Sequence, residues 1–520
     1  MRPTVSEAQP APLPRQIAYI IGNEGCERFS FYGMRNVLTV FLVSVLLLDL
    51  PAAEREGAAK EVFHTFVIGV YFFPLLGGWL ADRYFGKFKV ILGLSVLYTF
   101  GHLLLALSES WRPGFYAGLG LIALGSGGIK PCVSAFVGDQ FDASNRHRAK
   151  VVFDAFYWII NFGSFFATLL VPYLLQKYGP SVAFGVPGVL MALATVILWM
   201  GRRLYVQVPP APADPDSPLR VAWTALWAPR PQAGRPGLWV AGLGVALGIG
   251  SLALIGEIGF VASLCLSLVL ILGLGGLGTG MQLDRARGAH PEEAVQGLGA
   301  VLRLLVLFAL VTPFWSLFDQ KASTWVLQAN AMTRPDWFAP SQMQALNPAL
   351  VMLLIPFNNL LLYPLLGRWG LTLTPLRKMT AGIVFSGLAW IAVGALQLQL
   401  DGGAALSILW QLLPYVLLTL GEVLVSTTGL EFAYSQAPLR AKSALMSLWS
   451  LAVTVGNLWV LLVNSQVKSP ALTGWVEARG LGVTAAQMFF FAGFALAAAL
   501  AFGLYARGFV SVDRYRPVTK

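Results

Sequence analysis

The chain reads as long apolar runs separated by short clusters of charge, proline and glycine. Runs of roughly 17 to 25 or more apolar residues are what a helix needs to cross a bilayer. Six such segments lie near 17–48, 58–81, 90–108, 114–137, 151–175 and 182–200. Six more lie near 299–330, 346–367, 378–398, 404–434, 443–466 and 484–506. Between the two sets stand a polar, proline-rich stretch, VPPAPADPDSP, and a further apolar run, GLWVAGLGVALGIGSLALIGEIGFVASLCLSLVLILGLGG, long enough for a hairpin of two spanning helices. The pattern predicts an all-α membrane protein of fourteen transmembrane helices, arranged as six, two and six.

Composition agrees: of 520 residues 56% are hydrophobic and only 12% charged, which no soluble globular chain of this length matches. The opening MRPTVSEAQPAPLPRQ lacks a short apolar core with a small-residue cleavage site, so no cleavable signal is expected. With the amino terminus in the cytoplasm, the cytoplasmic loops carry Arg83, Lys87, Lys89, Arg146, Arg148, Lys150, Arg368, Arg377, Lys378, Arg440 and Lys442. The opposite loops carry Arg55, Lys60, Arg112, Lys177, Arg334, Lys468 and Arg479, several beside acids. Eleven basic residues against seven favour this orientation, and Arg202, Arg203, Arg220, Arg230 and Arg235 in the central linker strengthen it. The net charge of +11 therefore reads as orientation rather than nucleic-acid binding. Cys26, Cys132 and Cys265 fall inside apolar segments and suggest neither a disulfide framework nor a metal site.

The two sets of six suggest a duplicated architecture: a bundle over 1–200, a linker with the inserted hairpin over 201–298, and a second bundle over 299–520. The tripeptide RAK opens the fifth segment of each half, at 148–150 and 440–442. In GGWLADRYFGKFK, residues 77–89, Gly77 and Gly78 permit close helix approach, while Asp82, Arg83 and Lys87 are placed to staple a loop. This stretch resembles the loop motif of the major facilitator superfamily, whose halves are repeats that rock about a midplane site.

One stretch breaks the apolar pattern. NEGCERFSFYGMRN, residues 23–36, places Glu24, Glu27, Arg28 and Arg35 inside the first segment, and on a helix Glu24, Arg28, Tyr32 and Arg35 share a face. A charge at the bilayer centre costs roughly 2.5 to 3.5 kcal/mol on insertion scales, so these groups should face a wet cavity and pair with one another. A purely structural salt-bridge cluster is the alternative. Two carboxylates competing for one guanidinium should separate in proton affinity, which suits a proton site.

Other segments supply partners. Lys130 stands in GSGGIKPC, Asp319 in TPFWSLFDQ and Glu422 in LTLGEVLVSTTGLEF, each nearly the lone charge of its run. Bases thus cluster in the first half and acids in the second, a layout that would hold a zwitterion by both ends and close an empty cavity with ion pairs between the halves. For Asp319 a position at a helix end near the outer surface is the competing reading. His64, one of four histidines, is either a gate proton site or a structural hydrogen bonder. Asn161 offers an amide suited to a peptide bond or to helix packing, and Tyr71, Trp315 and Trp449 line pockets or simply pack.

Taken together, EGCERFSFYG, GSGGIKP, FYWIINFGS, FWSLFDQ, ALNP and GLEFAYSQAP resemble, in order along the chain, the signatures of the proton-dependent oligopeptide transporters. The six, two, six layout is similar to bacterial members with an inserted helical pair. The resemblance implies proton coupling through Glu24, Glu27, Arg28, His64 and Asp319, with Asp319 paired to Arg35 on the outer side. It implies that Arg35 and Lys130 receive the peptide carboxylate, that Glu422 faces the amino group, and that Tyr32, Tyr71, Asn161, Trp315, Asn347 and Trp449 line the pocket. Where the family often has two tyrosines after its signature, this chain has Phe31 and Tyr32. The implied function is proton-driven import of di- and tripeptides by alternating access, by a monomer in a bacterial inner membrane with both termini cytoplasmic and no cofactor or metal. A nitrate or small-anion symporter of the same fold is the alternative. A membrane enzyme would need a catalytic constellation, and none stands out.

Overall fold

In lipid a backbone must satisfy its own N–H and C=O groups, so each apolar run folds as a helix. The computed structural model describes residues 14–141, 149–210, 214–229, 234–370, 373–436, 442–467 and 469–510. Fourteen of its helices are long and apolar enough to span a membrane. The first six are α1 Gln16–Leu46, α2 Glu54–Phe85, α3 Lys87–Leu107, α4 Arg112–Asp139, α5 Ala155–Tyr178 and α6 Pro180–Arg203. A short linker helix, α7 Pro218–Trp227, leads to the hairpin of α8 Pro236–Ile258 and α9 Phe260–Met281. The last six are α10 Glu292–Asn330, α11 Pro340–Arg368, α12 Pro375–Asp401, α13 Ile408–Ala433, α14 Leu448–Val467 and α15 Val483–Arg507.

Buried apolar side chains form one large cluster drawn from α1 to α6 and a second drawn from α10 to α15. The two halves meet where α2 packs on α14 and α5 on α11. The hairpin turns at Gly259, whose φ of +82° suits glycine, and lies against both halves through Ala262 and Cys265 beside Ile68, Leu458 and Leu461.

Several expectations need correction. Lys60 is not a loop charge: the sequence AAEREGAAKEVF is a strong helix former, and the helix is already formed at Ala52, just ahead of the span α2, leaving Lys60 6% exposed within it. Of the three residues placed to staple the loop, Lys87 reaches Asp139: its Nζ lies 2.7 Å from Asp139 Oδ2, tying the start of α3 to the end of α4. Helix α7 was not foreseen in the linker, although Pro218 after Ser217 is a typical helix start. Arg146, Arg148, Arg230, Arg440 and Lys468 lie outside the described residues, as does Ala441 of the second RAK.

Candidate functional site

The charged stretch of α1 divides into two stations. At the first, nearer the start of α1, Arg28 Nε donates to Glu24 Oε1 at 2.6 Å, and Glu27 Oε2 lies 3.0 Å from the same nitrogen without the alignment of a hydrogen bond. Ser126 Oγ of α4 approaches Glu27 Oε1 at 3.5 Å. All three charged side chains are buried, and Arg28 offsets only one of the two carboxylates, so the cluster has room for one proton. Among the described residues, Glu24 Oε2 and Glu27 Oε2 accept no hydrogen bond.

Two turns further along, Arg35 no longer belongs to that cluster. Its Nη2 lies 2.5 Å from Asp319 Oδ1 of α10, joining the two halves. Asp319 Oδ2 accepts from Asn457 Nδ2 of α14 at 2.7 Å, Asn457 Oδ1 meets His64 Nδ1 at 2.6 Å, and His64 Nε2 meets Ser323 Oγ at 3.0 Å. Asp319 is 1% exposed, which excludes the reading of it as a helix-end charge at the surface. It does end a helical stretch: α10 tightens over Gln320–Ala322 and breaks at Ser323 before Thr324–Asn330, where Trp325 packs on Trp390 of α12 and Tyr415 of α13. Thr39 Oγ1 donates to Ala322 O at 2.8 Å, Gln342 Nε2 to Leu169 O at 2.8 Å, and the side chains of Gln344 and Asn36 hydrogen-bond. These contacts seal the two halves together at the end where α1 and α10 finish.

Between the stations lie half-buried polar side chains. Lys130 Nζ sits over the rings of Phe31 at 4.1 Å and Tyr71 at 4.5 Å, an aromatic bed for its charge. Tyr32 packs edge-on against Phe31. Across from them, Glu422 Oε2 accepts from Asn347 Nδ2 at 2.5 Å, and Asn347 Oδ1 accepts from Lys321 Nζ at 2.8 Å. Glu422 ends a regular stretch of α13 and is followed by one wide turn, Val423–Thr427, an irregularity often found at functional positions. Trp315 and Trp449 pack edge-to-face, centroids 6.2 Å apart, in the buried aromatic wall of the second half. Asn161 spends its Nδ2 on Tyr157 O one turn back, leaving its Oδ1 for other partners.

The sequence profile of the POT family matches residues 88–479. The chain belongs to the POT family. Among curated POT family relatives, Solute carrier family 15 member 2 of Danio rerio is 34% identical over 408 residues, 74% of this chain. The chain spans about half the length of that relative, 50%. The crystal structure of an auto-inhibited POT family peptide transporter is 61% identical, covers 97% of this chain and 99% of its own, and superposes with a TM-score of 0.95. That of the POT family transporter PepTSo is 61% identical, covers 96% and 98%, and gives 0.94. The fold is therefore the POT family's version of the major facilitator architecture.

Relative to this POT family fold, reading the sequence overlooked Lys321, Asn457 and Ser323. Lys321 had a signal, a second charge two residues after Asp319 in an apolar run, and it qualifies the simple picture of bases in one half and acids in the other. Asn457 and Ser323 had none. Amides and hydroxyls are common in membrane helices, and only the fold brings these two to His64.

Proposed function

We propose that this POT family member is a proton-coupled symporter of di- and tripeptides that works by alternating access, its halves 1–200 and 299–520 rocking about the polar layer between the two stations. The observation that carries this reading is the layout of charge across the halves: Arg35 and Lys130 on one side, the Asn347-held Glu422 on the other, with the Arg35–Asp319 pair closing one end. A short peptide's carboxylate fits the bases and its ammonium fits Glu422. A carrier of nitrate alone has no use for that acid. That a POT family peptide transporter has the same fold at 61% identity supports the same substrate class.

In this mechanism a proton reaching Asp319 or His64 releases Arg35 and opens the sealed end. The peptide then engages Arg35, Lys130 and Glu422, lined by Tyr32, Tyr71, Asn161, Trp315 and Trp449. After the halves rock, the proton leaves through Glu24, Glu27 and Arg28, where the two undonated carboxylate oxygens are the places for it to sit. Moving one charge down 100 mV supplies roughly 2.3 kcal/mol, which at about 1.4 kcal/mol per decade supports on the order of 50-fold accumulation. The positive-inside distribution of basic residues supports cytoplasmic termini, the membrane is a bacterial inner one, and the protein works as a monomer.

The test is uptake of labelled dialanine into liposomes with and without an inward proton gradient, for the native chain and for Glu27→Gln and Glu422→Gln. Gradient-driven uptake that Glu27→Gln converts to exchange without accumulation, and that Glu422→Gln weakens in affinity, is the expected outcome. A native chain that moves no dialanine under any gradient refutes the substrate assignment.

A further inference from the structure

Helix α7 has two apolar faces, and packing among the described residues uses only one. Its inner face inserts Val221 and Ala225 among Ala286, Val295 and Leu298 at the base of α10. Polar contacts clamp it there: Gln282 Nε2 donates to Ala225 O at 3.0 Å and Leu226 O at 2.8 Å, and His290 bridges Thr224 Oγ1 and Asp216 Oδ1, both at 2.8 Å. The outer face presents Leu219, Trp223 and Trp227, spaced four and four so that they form one stripe, at 81%, 64% and 46% exposure. The two tryptophans pack together, centroids 5.5 Å apart.

The stripe continues a band of exposed apolar side chains at the ends of the neighbouring spanning helices. Helix α7 follows the end of α6, where Trp199, Met200 and Leu204 are exposed, and precedes the start of α8, where Trp239 is exposed; Leu277 and Met281 are exposed at the end of α9. Tryptophans at the ends of spanning helices mark the level of the headgroups. Arg220 beside the stripe and Arg203 at the end of α6 are exposed as well, placed as lipid phosphates require. A ten-residue helix with large apolar groups on its outer face, held at the level where spanning helices end, has the design of an interfacial helix.

We propose that α7 beds its Leu219–Trp223–Trp227 face in the headgroup layer of the bilayer. The linker between the halves is thereby moored to the membrane surface through the clamp that fixes α7 to the base of α10. The partner is phospholipid, and the contact requires neither a second copy of the chain nor a soluble protein.

The experiment uses the full chain with Cys26, Cys132 and Cys265 replaced by alanine and a nitroxide on Leu219→Cys or, separately, Trp223→Cys, in phosphatidylcholine vesicles and with dialanine uptake as the check of folding. Collision with oxygen and with a water-soluble nickel chelate reports depth, and Gln207→Cys in the polar linker is the aqueous reference. The expected result is strong oxygen access with little nickel access, corresponding to about 5 to 10 Å below the surface, unchanged when the protein is diluted in lipid to one copy per vesicle. Nickel access equal to that at residue 207 overturns the proposal. So does protection that disappears on dilution, which would assign the stripe to a second copy.

Discussion

At the residue scale, the site depends on polar atoms that stand behind the charges. Asn457 holds both Asp319 and His64, so Asn457→Ala leaves a buried carboxylate oxygen and a ring nitrogen unpartnered. An unmet buried group costs about 1 to 3 kcal/mol, and amide exchange in the turns of α2 and α14 around these residues should quicken accordingly; unchanged exchange would show that Asn457 is dispensable to the seal. Asn347 plays the matching part on the other side by bridging Lys321 and Glu422. Asn347→Ala should raise the KM for dialanine about tenfold, the ~1.4 kcal/mol of one good hydrogen bond, with kcat nearly unchanged. A fall in kcat at constant KM would place Asn347 in the conformational step. The four charges of α1 were legible because ionisable groups inside an apolar run are rare. Their supporting amides were not, since an asparagine on a membrane helix has many possible partners and only the fold selects among them.

At the element scale, glycine contacts set how closely helices approach. A Cβ on Gly77 would collide with the backbone of Gly128, so the second part of α2 and α4 touch main chain to main chain. The hairpin does the same: a Cβ on Gly237 would strike the carbonyl of Gly278, and one on Gly244 would meet Leu274 at 2.7 Å. Overpacking such a seam costs about 1 to 3 kcal/mol, so Gly237→Val should lower the melting temperature while leaving uptake at a substantial fraction of native. Lost uptake at an unchanged melting temperature would instead give the hairpin a part in transport. Helix positions followed from apolar run length, whereas the breaks at Ser323 and after Glu422, which place the key acids, did not. No proline or glycine stands beside Ser323, and Gly421 before Glu422 is one of many glycines on these helices, so tertiary packing decides where the breaks fall.

At the scale of the whole molecule, the two halves are joined at one end through a buried ion pair. Neutralising one partner leaves the other buried and uncompensated, at a cost of about 3 to 5 kcal/mol, enough to move an equilibrium between closed and open by two decades or more. In Asp319→Asn, spin labels at the exposed positions Glu54 and Asp336 should therefore report a longer distance across that end than in the native chain; an unchanged distribution would mean that the pair is not the latch. By itself the sequence determined the membrane, the six, two, six order of helices and the charges that matter, because bilayer thickness and the cost of buried charge act on each segment alone. Tertiary structure decided which charges pair. Glu24, Arg28 and Arg35 share a helix face, yet Arg28 turns to two carboxylates within α1 while Arg35 reaches a residue 284 positions away. That choice rests on the packing of α1 against α10, and no local pattern along the chain encodes it.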